Sequence, residues 1–76
     1  MSIATQLEYL NKQRIDRLVY LILSNNNRMS KLKMLNSGSK QREKIRKYVV
    51  GDSKFLKIRL TEAELYRIIN TVLYSI

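Results

Sequence analysis

Residues 61–76 constrain this chain most. Thr61-Glu62-Ala63-Glu64 has the form of a capping box, in which the Thr61 hydroxyl accepts from the Glu64 backbone N–H and the Glu64 carboxylate reaches back. Leu60 and Leu65 flank it at the spacing of a hydrophobic staple. Leu65, Ile68, Ile69, Val72, Leu73 and Ile76 then recur on one face of a 3.6-residue period. The pattern predicts a helix over 61–75. Its stripe is either core or a dimer face, because a chain of 76 residues without a disulfide or metal has little core of its own. A homodimer is the expectation.

The N-terminal segment also reads as helical. Thr5 and Glu8 give a second capping-box pair, Leu7 and Leu10 one half of a stripe, and Ile15, Leu18, Val19 and Ile22 the other. The polar run Asn11–Arg14 interrupts it, so the apolar face shifts there. Asn25-Asn26-Asn27 is expected to end this helix, since Asn tolerates the left-handed conformation. Met29, Leu32 and Leu35 suggest a short second helix with Asn27 as N-cap. Asn36-Ser37-Gly38 reads as a turn, and Ser39 as the cap of a third helix over Lys40–Lys47. Beyond it, Leu56, Ile58 and Leu60 alternate with Lys57 and Arg59, the period of a strand. Tyr48–Val50 and Phe55–Arg59 are therefore predicted to pair as a β-hairpin around Gly51-Asp52-Ser53.

The chain carries 15 Lys+Arg against 6 Asp+Glu, a formal charge of +9. Residues 1–27 hold Lys12, Arg14 and Arg17 against Glu8 and Asp16, a net +1. Residues 60–76 hold Arg67 against Glu62 and Glu64, a net −1. The whole excess of +9 falls in residues 28–59, where only Glu43 and Asp52 oppose eleven cations. Such segregation predicts an anionic partner for the central segment. The domain expected is a single one, with a helix in 1–27, a basic module in 28–60 and a helix in 61–76.

Two short helices around a turn, the second strongly basic, followed by a basic hairpin: in element order and charge placement this resembles a winged helix-turn-helix. The resemblance implies a mainly α fold with a small β-hairpin, in which the long N- and C-terminal helices pack together or form a dimer. It also implies that helix 40–47 enters the major groove of DNA while the hairpin lies along the backbone. Arg42 and Arg46, four residues apart, would then read guanine and Gln41 adenine. Lys31, Lys33, Lys54 and Lys57 would more often hold the backbone than read sequence, and Lys40, Lys44 and Lys47 on the helix and Arg59 on the wing complete the nucleic-acid-binding surface. If about six of the central cations reach phosphates, log K falls with log salt at a slope of about −5. Tyr48 and Phe55 are the best candidates for base stacking, although packing is the commoner role of such residues.

Other classes are excluded or disfavoured. The chain has no His, no Cys and only two Gly, so it lacks the usual general base, thiolate ligands and a phosphate-cradling glycine loop. No enzyme, metal site or cofactor is expected. A hydrophobic fraction of 45% argues against disorder. The longest apolar run, Leu18–Leu23, has six residues against the ~20 of a membrane span. No signal-peptide pattern is visible in Met1–Leu10, so the expected location is cytoplasmic, the host cytoplasm if the chain is viral. The sequence therefore points to a small DNA-binding regulator of transcription or a recombination accessory factor. The richness in Lys, Ile and Asn fits a phage or mobile element. The competing readings are an inhibitor or modulator that docks on an acidic surface of a host or defence enzyme, and an RNA or ribosome binder.

Overall fold

In the computed structural model, which describes residues 3–76, four helices follow one another: α1 (Ile3–Leu23), α2 (Asn26–Met34), α3 (Gly38–Phe55) and α4 (Glu62–Tyr74). The side chains of Ala4, Thr5, Leu7 and Glu8 lie outside the described residues, and the capping pair expected at Thr5 and Glu8 falls there. Among the described residues there is no strand, so the predicted hairpin and with it the winged helix-turn-helix are overturned. The whole is elongated, 46 × 21 × 19 Å.

The physical reason is the length of α3. It runs without a break through Val49-Val50-Gly51-Asp52-Ser53, the stretch expected to turn. Val49 is fully buried and Ser53 nearly so, on the same face as Ile45. The Ser53 hydroxyl donates to the Val50 carbonyl at 2.9 Å and so enters the core satisfied. Burial along this face outweighs the roughly 1 kcal/mol that an interior glycine costs a helix.

The alternation at 56–60 has a different origin. Leu56 caps α3, and Lys57 takes φ 57°, the only positive φ of a non-glycine residue among the described residues. The Ile58 N–H donates to the Ser53 carbonyl at 2.8 Å and the Lys57 N–H to the Lys54 carbonyl at 3.1 Å. These are the paired bonds of a Schellman motif with lysine in the place glycine usually takes. The reversal carries Ile58 into the core, leaves Leu56 and Leu60 half-buried, and exposes Lys57 and Arg59. The period of two reports an extended exit from a helix, not a strand.

Two caps also differ from expectation. Asn25, not Asn27, caps α2, its side chain accepting from the Arg28 N–H, so the asparagine triplet opens α2 instead of closing α1. Ser37, not Ser39, caps α3 by accepting from the Lys40 N–H, and Gly38 is the first helical residue. At α4 the capping box forms: the Glu64 N–H donates to the Thr61 hydroxyl at 3.1 Å, and the Thr61 N–H donates to Glu64 Oε1 at 3.0 Å. Asn11 donates to the other carboxylate oxygen at 3.0 Å, tying α1 to the start of α4. The Thr61 backbone bond, working against partial burial and helped by the Thr61 side chain, Asn11 and Arg67, holds the Glu64 carboxyl below the ordinary glutamate range. A carboxyl lowered in this way stabilises the fold above the ordinary range, and that contribution is lost as pH falls through the lowered value.

One core unites all four helices. Leu18 and Ile22 come from α1, Met29 and Leu32 from α2, Ile45 and Val49 from α3, and Leu65, Ile68, Ile69 and Val72 from α4. Ile58 joins them, and Leu73 packs against the edge. Leu65, Ile68, Ile69 and Val72 of the α4 stripe are thus spent in the chain's own core, while Leu73 and Ile76 pack half-buried against it.

Candidate nucleic-acid interface

The central cations do not form one surface. Helix α3 divides them, because successive residues are set about 100° apart around its axis. Its inner flank takes Gln41 and Arg42, both half-buried. The Gln41 amide donates to the Leu32 and Leu35 carbonyls at 3.1 and 3.3 Å, satisfying the C-terminal end of α2. The Arg42 guanidinium donates to Asn70 Oδ1 at 2.8 Å and lies 5.3 Å from the centre of the Tyr66 ring. Two of the three residues expected to read bases thus have their polar groups committed to α2 and α4. Arg46 faces the same helix, 4.0 Å from Glu62, with both side chains well exposed.

A second inward cluster ties α2 to α3. Arg28 pairs with Asp52 at 2.6 Å and lies over the Tyr48 ring at 4.6 Å. Lys44 approaches the same ring at 5.8 Å. Tyr48 therefore carries cations where a stacking base was expected. Arg28 lies among the eleven central cations but serves the fold.

The outer line of α3 is different. Lys40, Lys44, Lys47 and Lys54 are spaced four, three and seven residues apart and all are exposed. They span about 21 Å of helix axis at 1.5 Å per residue. Among the described residues the carboxylate nearest them is Glu43, 3.9 Å from Lys47 in an exposed i, i+4 pair. Such a pair contributes about 0.3–0.5 kcal/mol and leaves the lysine available to a stronger anion. Gly51 sits within this line, and a Cβ built there would meet nothing within 4 Å. One turn on, Phe55 is 85% exposed beside Lys54. At the other end Leu35, Lys40, Glu43, Lys44 and Lys47 line a shallow groove of about 230 Å³.

The remaining predicted residues lie elsewhere. Lys31 and Lys33 occupy the last turn of α2, and Lys57 and Arg59 the connection between α3 and α4, all four exposed. Charge partition by segment missed Arg14 and Arg17. Their helix averages to near neutrality, yet the two are three residues apart, off the apolar stripe, and line a groove with Lys57. Their i, i+3 spacing was the signal available.

No protein-family model matches the chain, and no curated protein or solved structure is significantly similar to it.

Proposed function

We propose that this protein binds DNA through the phosphate backbone, with the outer line of α3 as the contact surface. The observation that carries the reading is the lysine line itself: Lys40, Lys44, Lys47 and Lys54 on one exposed helix edge, opposed among the described residues by Glu43 alone. Lysine is a compact point charge, suited to holding phosphates and poorly suited to bidentate reading of base edges. Binding of this kind is driven by release of condensed counterions and tolerates any sequence. Phe55 at the end of the line offers an apolar face to a base or sugar. A regulatory or accessory role for a phage or mobile element fits such a protein.

The test is fluorescence anisotropy of a labelled random-sequence duplex titrated at several salt concentrations. Four phosphate contacts give a slope of log K on log salt of about −3.6. Replacing all four lysines with alanine should make that slope shallower by about 3.6 while helicity and thermal midpoint hold. An unchanged slope in that variant, or no binding at ~50 mM salt by the native chain, defeats the proposal. A stoichiometric protein captured from nuclease-treated lysate, and lost with the same four substitutions, would assign the surface to an acidic protein instead.

A further inference from the structure

We infer that Arg14, Arg17 and Lys57 form a separate binding site for a phosphate group. The three cations line one groove of about 290 Å³ whose apolar walls are Leu56 and Ile58. That is close to the lower end of small-molecule pockets, ~300 Å³, and suits one phosphate with its immediate substituent. The site is built by α1 and the α3–α4 connection and does not rest on the lysine line of α3.

Three observations converge on it. First, no carboxylate among the described residues lies within ion-pair distance of any of the three cations. Asp16 lies between the two arginines in sequence but turns to the opposite flank of α1, where it lines the groove against α4. Second, the two guanidinium groups come from one rigid helix, three residues apart, and guanidinium forks match phosphate oxygens bidentately. Third, Lys57 holds φ 57°, a conformation that suits glycine and disfavours a long side chain such as lysine. Its neighbours Ile58 and Leu56 fix it there, Ile58 by burial and by its bond to Ser53. A strained residue so held lines the groove and brings it a positive charge, which the glycine usual at this position would not. The negative end of α3 opposes an anion here, but its last carbonyls already accept from Leu56, Lys57 and Ile58.

The experiment is titration of inorganic phosphate into the full chain, followed by amide chemical shifts. The expected result is saturable change confined to Arg14, Arg17, Leu56, Lys57 and Ile58. Arg14→Gln with Arg17→Gln should raise the Kd about tenfold or more, with helicity unchanged because both side chains are exposed. Lys57→Gly should weaken phosphate while raising the thermal midpoint, an opposition that a purely structural role cannot produce. The alanine variant of the four α3 lysines should leave phosphate binding as it is. Unsaturating shifts spread over all basic residues, or a Kd unmoved by the double arginine variant, would overturn the site. Its natural source is read from DNA: a salt slope about two units shallower in the double variant assigns it to a backbone phosphate. Unchanged DNA binding with the weakened phosphate Kd assigns it to a free phosphorylated small molecule.

Discussion

The two faces of α3 carry polar residues of similar kinds and use them in opposite ways. On the inner face Gln41, Arg42 and Asp52 are each matched to a named partner on α2 or α4. On the outer face the four lysines hold a line of charge with two weak partners, Glu43 beside Lys47 and the Tyr48 ring 5.8 Å from Lys44. Exposure alone does not separate the classes, since Arg46 is exposed and still lies against Glu62. What separates them is direction around the helix axis. A basic segment is therefore not a basic surface: helical geometry assigns part of its charge to folding and leaves the remainder for a partner.

Substitutions can break or sharpen that contrast. The largest effect belongs to the inner face. Ile45→Ala removes a fully buried side chain and should cost about 2–5 kcal/mol by urea denaturation. Its DNA binding should follow the folded fraction only. Arg42→Ala comes next, at about 1–2 kcal/mol, from the lost bond to Asn70 and the lost contact with Tyr66. Its salt slope should match that of the native chain. A slope shallower by about one unit with stability intact would move Arg42 to the outer face. The smallest effect is a gain. Gly51→Ala should stabilise the chain by about 0.5–1 kcal/mol, because the space beyond it is open and alanine has the better helix propensity. If DNA lies closely over this part of α3, the same methyl group weakens binding while it stabilises the fold.

Legibility in the sequence followed the range of the forces involved. Helix α4 was readable because its signals are local: a capping box, a staple and a stripe within seventeen residues. Helix α3 was cut short in the reading because Val49-Val50-Gly51 has poor helical propensity, and the force that extends the helix is burial of Val49 and Ser53 against distant residues. The alternation at 56–60 correctly separated inside from outside, with Ile58 buried and Lys57 and Arg59 exposed, yet named the wrong element. At the candidate site, the concentration of charge in the central segment was visible. Its division by face was not, because that requires the full length of α3. The roles of Gln41 and Arg42 depend on carbonyls and an amide on other helices, which no spacing within 40–47 announces.

The connections between the helices are short: residues 24–25, 35–37 and 56–61. Each helix therefore meets its successor with little loop entropy to overcome, and α3 can close on α4 as soon as both have formed. Helical chains with such local pairing fold in microseconds to milliseconds. The Schellman bonds at Lys57 and Ile58 sit at the one turn that must reverse for α3 to find α4. Lys57, whose left-handed backbone makes that reversal, is thus a point where a change of backbone preference should alter the speed of folding as well as stability.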